Sequence, residues 1–235
     1  LIYRRYRIKL SVNSVGRLLA KLGITPQKPL WRAYQQDPEL VRRWLKEEYP
    51  KIEQKARKEK AEIWFGDESG MRSDYHAGTT WGRKGETPVV QTTGARYRLN
   101  MLSAVNKKGK MRFMIESKRL NAVVFCRFLN RLMAGSRRRA FLILDGHPMH
   151  KSRMVQKKAQ SFNGRLKLFL LPPYSPELNP DEGVWRDVKS GKLGRAGILR
   201  FSEMKSKTVG ALRHLAKRPD KIRALFKTKD TRYAA

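Results

Sequence analysis

Two apolar runs in this sequence end in an acid: "EIWFG" leads into Asp67 and "RAFLIL" into Asp145. A third, "LKLFLLPPYSP", is followed by Asp181 and Glu182 where a helix should begin. Open α/β sheets place their chemistry at the carboxyl ends of strands, so acids in these positions can converge on one site. Their hard oxygens suit Mg²⁺ or Mn²⁺, which leave positions open for water and phosphate. Two such ions roughly 3.5–4 Å apart could activate an attacking oxygen and stabilise the leaving oxygen of a phosphodiester. The competing reading is structural, since a lone Asp after a strand commonly caps a turn or a helix.

Acids are scarce in this chain. Its 235 residues hold 53 Lys and Arg against 20 Asp and Glu, a net charge of +33. Residues 1–60 carry 16 basic and 6 acidic groups, residues 61–185 carry 22 and 10, and residues 186–235 carry 15 and 4. The charge is spread along the whole chain, as suits a protein that follows a polyanion with most of its length. It argues against cationic or neutral small molecules as ligands. A ribosomal or nucleoid packing protein would share the charge, and the strand-ending acids are what favour chemistry instead. Apolar residues make up 40 %, enough for a core. The one cysteine, Cys126, excludes a disulfide framework and a Cys-rich zinc site. With no apolar run near 18 residues and no signal core, the sequence reads as soluble and cytoplasmic.

The elements that must position the acids follow from periodicity. Val15, Leu18, Leu19 and Leu22 mark one face of a helix, with Ser11 as N-cap and Gly23 as its stop. Asn13, Ser14, Arg17 and Lys21 fall on the opposite face, which fits the reading helix of a helix-turn-helix contacting DNA. Residues 1–36 therefore read as a helix-turn-helix segment, with an ordinary amphipathic surface helix as the competing reading. Asp37-Pro38 should start a helix, Pro50 should break or restart it, and residues 37–60 read as a helical linker. From Ala61 to about 190 the order is strand, hairpin around Lys107-Lys108-Gly109, helix, buried strand, helix, buried strand and helix. That is an α/β mixed sheet with flanking helices. Residues 191–235 read as a basic helical tail.

The segments "IWFGDESG", "WGRKGETP", "LDGHPMHKS" and "LPPYSPELNPDEGVW" resemble, in order and spacing, the catalytic domain of DDE transposases. The likeness is to the bacterial insertion-sequence branch of the mariner-like superfamily, and "SVNSVGRLLAKLGITPQKP" resembles the end of that family's winged-helix region. Thirty-six residues lie between Asp145 and Glu182, within the range of this branch. The resemblance implies an RNase H-like fold and a catalytic, metal-binding triad of Asp67, Asp145 and Glu182. It implies two Mg²⁺ (or Mn²⁺) ions, cleavage of double-stranded DNA at transposon ends, and strand transfer into target DNA by a homodimer. His150 matches a position where the family often has His and is expected to support catalysis near the scissile phosphate.

Some residues depart from that pattern. Gly146 stands where Asn is usual, His147 where a small residue is, and Asp181 where an apolar one is. Neighbours on a helix point about 100° apart, so only one of Asp181 and Glu182 can face the site squarely. Gly183 is a poor helix residue. The chain begins inside what should be a longer DNA-binding region, so an N-terminally truncated protein is expected. Glu68 should point away from Asp67 by strand alternation. Glu177 should cap or pair with a base, "HPMH" lacks partners for zinc, and Trp81 and Trp185 are expected as core anchors. Two other functions fit: a catalytically impaired remnant that only binds DNA, and a general RNase H-like nuclease.

Overall fold

A computed structural model describes residues 2–26, 33–74, 81, 83–89, 91, 93–194 and 197–235, and for 191 and 192 the backbone only. Residues 27–29 of "SVNSVGRLLAKLGITPQKP" and Gly82 of "WGRKGETP" lie outside the described residues. The chain divides into two compact units, Leu1–Tyr34 and Gln35–Ala235.

The first unit holds helices α1 (Ile2–Tyr6) and α2 (Val12–Lys21). Ser11 caps α2 by accepting from the Ser14 amide at 3.1 Å, and Gly23 ends it at φ +73°. Only a residue without a side chain adopts that conformation freely. Asn13, Arg17 and Lys21 are exposed and Ser14 is half-buried.

In the second unit, Asp37 caps α3 (Pro38–Arg43) by accepting from the Glu39 amide at 2.8 Å. Of the two outcomes expected at Pro50, a break or a restart, the structure shows the restart. The chain widens into a π turn over Trp44–Glu48, and Pro50 falls in the first turn of α4 (Tyr49–Lys58). The wider turn accommodates a ring that would clash with a normally spaced carbonyl. Residues 37–60 also do more than link. Trp44, Tyr49, Ile52 and Ala56 are buried in the same core as Phe65 of the sheet.

Five strands form one mixed sheet in the order β3-β2-β1-β4-β5. They are β1 (Glu62–Arg72), β2 (Arg98–Val105), β3 (Met111–Glu116), β4 (Ala140–Leu144) and β5 (Leu166–Leu170). The first three pair antiparallel, whereas β4 and β5 continue parallel to β1. Gly109, at φ +85°, turns the β2–β3 hairpin where Lys107-Lys108-Gly109 predicts it. Phe141 and Ile143 face one core while Leu142 and Leu144 face the other, so β4 is buried throughout. Helices α5 (Ala122–Met133), α6 (Pro148–Lys151) and α7 (Arg153–Gln160) cover the second face. The first face is covered by α3, α4, α8 (Glu182–Arg186), α9 (Phe201–Ala216) and α10 (Pro219–Ala224). This is an RNase H-like arrangement preceded by a helical helix-turn-helix segment. β5, expected to be fully buried, has only Leu166 buried and Leu170 exposed, because it is the sheet's edge. Among the described residues, no helix is long and apolar enough to cross a membrane.

Candidate active site

Register brings the first two acids together. β1 and β4 run parallel with Phe65 opposite Ile143, and Asp67 and Asp145 each follow two residues later. Both therefore sit at the same level, just past the β1–β4 pairing. Asp145 follows the end of β4, but Asp67 does not end its strand as the sequence suggests, because β1 continues to Arg72 and pairs Asp67 with Ser103 of β2. Gly66 permits this crowding: a Cβ there would meet Leu142 and Leu144 methyls at 3.1 Å. Glu182 arrives from the far end of the chain, and Asn179 sets its place. The buried Asn179 side chain donates to the Gly66 carbonyl at 3.1 Å and accepts from the Asp181 amide at 3.0 Å. One amide thus ties the residue before Asp67 to the residue before Glu182. Asp67, Asp145 and Glu182 line a common cleft of about 520 Å³, with His147, Lys151 and Tyr174 on its walls.

On the Asp67 side, negative charge is not cancelled. The Trp185 indole N–H donates to Asp67 at 2.8 Å, and the Ser103 hydroxyl donates to Asp181 at 2.6 Å. Both donors are neutral. Burial, together with the charges of Glu182 and Glu68, pushes the Asp67 carboxyl well above its ordinary range. Glu182 is raised as well, by burial and by Asp145, against the pull of its hydrogen bond with Asp67 and of Lys189. Asp181 is completely buried and likewise raised, first by burial and then by Asp67. Its second oxygen, Oδ1, has no hydrogen-bond partner among the described residues.

The Asp145 side is compensated from within. His150 is 1 % exposed, with Nδ1 at 2.9 Å from Asp145 Oδ1 and Nε2 at 3.2 Å from Glu68 Oε2. Burial opposes the imidazolium charge, yet the two carboxylates win and raise His150 to about 9. In return, despite partial burial, the His150 hydrogen bond and the His147 amide hold Asp145 below its usual range. Glu68, Asp145 and His150 have ligand atoms all within 4.8 Å of one another, a spacing that could hold a metal. A histidinium already fills that role. The Asp67–Asp181–Glu182 side is the less compensated. It has clustered hard oxygens, a buried carboxylate oxygen without a hydrogen-bond partner among the described residues, and only the pull of Lys189 on Glu182 as charge relief among them. That donor set fits Mg²⁺ or Mn²⁺.

Among the expected residues, then, the three acids share the cleft. His150 lies buried against Asp145 and does not line the cleft. Asp181 and Glu182 point apart as the helix geometry requires, with Asp181 buried and Glu182 exposed. Glu68 does face away from Asp67, but Asp145 reaches it through His150. Gly183 is explained by packing, since a Cβ there would meet Leu225 at 2.7 Å. Glu177 accepts from Gln36. Trp185 is buried as expected, but Trp81 is 99 % exposed and anchors no core. Sequence reasoning missed the roles of Asn179 and Ser103, neither of which carries a spacing signal.

Residues 62–205, more than half of the chain, match the DDE superfamily endonuclease family, and residues 1–48 match a winged helix-turn helix. No curated protein matches the chain. Among solved structures, the chain is similar to the Mos1 mariner paired end complex with Mn, at 13 % identity and TM-score 0.65, covering 100 % of this chain and 73 % of that one. It is similar to the paired end complex with Mg at 13 % identity and TM-score 0.60, covering 100 % and 77 %. The catalytic domain of Mos1 mariner transposase gives 14 % identity and TM-score 0.50, covering 83 % and 97 %. These likenesses concern the fold. The family match over the sheet and its acids decides membership: the chain belongs to the DDE superfamily of endonucleases.

Proposed function

We propose that this chain is a transposase that cuts double-stranded DNA at transposon ends and joins the freed strand to target DNA. The observation that carries the reading is the convergence of Asp67, Asp145 and Glu182 on one cleft through strand register and the Asn179 tie. Asp67, Asp145 and Glu182 would hold two Mg²⁺ or Mn²⁺ ions, which when bound supply Lewis-acid activation and neutralise charge on the phosphodiester. Trp185 fixes Asp67, and His150 fixes Asp145 from behind, acting as a positioning residue. Lys151 and His147 on the cleft wall offer charge and hydrogen bonds to the DNA backbone. Asn13, Ser14, Arg17 and Lys21 of α2 would read DNA. The domain limits we assign are 1–36 for DNA binding, 37–60 as a helical connector that also packs on the sheet, 61–190 for catalysis and 191–235 as a basic helical tail that packs on the same face. The "LPPYSPELNPDEGVW" stretch supports the bacterial insertion-sequence branch, and mariner relatives caught on paired ends support a homodimer on DNA.

Asp145→Ala tests the assignment. Mg²⁺-dependent nicking of DNA carrying the element's ends should fall by at least about a hundredfold while DNA binding persists. Undiminished nicking by the variant would sink the reading. A binding-only role has one observation in its favour, the pairing of Asp145 with His150. It predicts that the intact chain binds DNA and never nicks it with either metal.

A further inference from the structure

A cavity of about 640 Å³, larger than the carboxylate cleft, opens at the other end of the parallel strands. Its walls come from three separate places: the α4–β1 junction, the β2–β3 turn and the loop entering β4. Its acids do not cancel its bases but gather them. Glu62, with its side chain 5 % exposed, lies 2.8 Å from Lys110, 3.3 Å from Lys108 and 3.9 Å from Arg138. Glu59 holds Lys167 at 2.5 Å and Arg139 at 3.2 Å. Glu53 holds Lys107 at 3.1 Å and Arg57 at 3.2 Å. Lys60 and Arg137 add two more exposed cations on the cavity wall. Seven of these nine cations line the cavity beside three carboxylates, while Lys110 and Lys167 pair with its acids without lining it. Most of the paired bases keep about half of their side-chain surface open, Lys108 at 51 % and Arg138 at 62 %.

We propose that this cavity is a second phosphate-binding site, holding the phosphodiester backbone of a DNA segment other than the one in the carboxylate cleft. Three anchoring carboxylates fix the stems of flexible Lys and Arg side chains, so less ordering remains to be done when an anion arrives. A surplus of four positive charges, seven cations against three acids, is then concentrated in a concavity. The run Arg137-Arg138-Arg139 offers planar forks that match phosphate oxygens. The site faces away from Asp67 and Asp145, across the roughly 16 Å that five strand residues span. Backbone bound here is therefore held clear of the acids. The choice of DNA rests on the transposase reading, whereas the anion chemistry stands on the cavity alone.

The test uses the full chain, chelator to prevent cutting, and a fluorescent duplex of arbitrary sequence titrated over a range of salt. Lys60→Glu with Arg137→Glu reverses two cations that no described acid needs for neutralisation. The slope of log affinity against log salt should lessen by about two, with affinity down more than about tenfold at moderate salt. The same charge change on the convex α9 surface, Lys205→Glu with Arg213→Glu, should weaken binding by less than about threefold. Equal losses in the two variants would overturn the site, reducing the cavity to part of a diffuse charge. Displacement of the duplex by polyglutamate as readily as by polyphosphate would also overturn it, in favour of an acidic protein partner. A wild-type chain that binds no duplex would sink the DNA reading itself, a result separate from the failure of the cavity variant alone.

Discussion

Two groups of acids meet across β1, and they are neutralised in opposite ways. Glu68 and Asp145 enclose a buried cation, His150, contributed by the same chain. Among the described residues, Asp67 and Asp181 take their side-chain hydrogen bonds from neutral donors, the Trp185 indole and the Ser103 hydroxyl. Glu182 shares a hydrogen bond with Asp67, and Lys189 acts on Glu182 by charge. Alternation along β1 separates Asp67 from Glu68 and so assigns each acid to its group. The difference teaches how a basic protein keeps carboxylates available. One group is closed by an internal ion pair and fixes structure. The other carries charge that the fold leaves unmatched, where a divalent ion would match it.

The largest expected effect falls on the closed group. His150→Gln removes the cation between two acids and should cost about 3 kcal/mol in chemical denaturation, the low end for breaking a buried pair. pH gives the same comparison a second readout. The folded His150 titrates at about 9 against an ordinary 6.5. Its stabilisation is therefore fully present below pH 6.5 and is lost as pH rises through 9. Wild type should lose stability across that window and His150→Gln should not. Matching pH profiles would mean that His150 is neutral and that the two groups do not differ as described.

A smaller loss is expected from the tie between the groups' strands. Asn179→Ala removes two buried hydrogen bonds, to the Gly66 carbonyl and from the Asp181 amide. A stability loss of about 2 kcal/mol follows from leaving those backbone groups unpaired. If Asn179 also positions Glu182 against Asp67, Mn²⁺ binding by calorimetry should weaken, whereas in His150→Gln it should change less. Unchanged Mn²⁺ affinity would leave Asn179 a purely structural residue.

The contrast between the groups was only partly legible in the sequence. β4 announces itself because both of its faces are covered, leaving five apolar residues and then an acid. The hairpin follows from its turn residues, and Glu182 from its spacing and the Pro-rich elbow. What stayed hidden depends on contacts far apart in the chain. Trp185 reaches Asp67 across 118 positions, and Ser103 reaches Asp181 across 78. Gly183 looks unsuited to a helix until Leu225 is seen against it. Glu68 seemed irrelevant by alternation, which places it correctly but cannot say that Asp145 turns toward the same side. The restart at Pro50 was legible, but the π turn that precedes it, set by local winding, was not.

The smallest effect has the opposite sign. Asp181 is fully buried, with one oxygen bound by Ser103 and the other unpartnered among the described residues. Its carboxyl is raised above the ordinary 3.8, so its ionised form is disfavoured in the fold. The stabilisation such a group provides is complete below about pH 3.8 and is lost as pH rises. Asp181→Asn keeps an oxygen for Ser103 and removes a negative charge from beside Asp67 and Glu182. The metal-free variant should therefore be more stable than wild type by about 1 kcal/mol at neutral pH, with the gap closing toward pH 4. Mn²⁺ should bind the variant more weakly, because the unmatched charge that disfavours the empty fold is what attracts the ion. A variant less stable than wild type at neutral pH would mean that Asp181 is already compensated, and the distinction between the open and closed groups would fail.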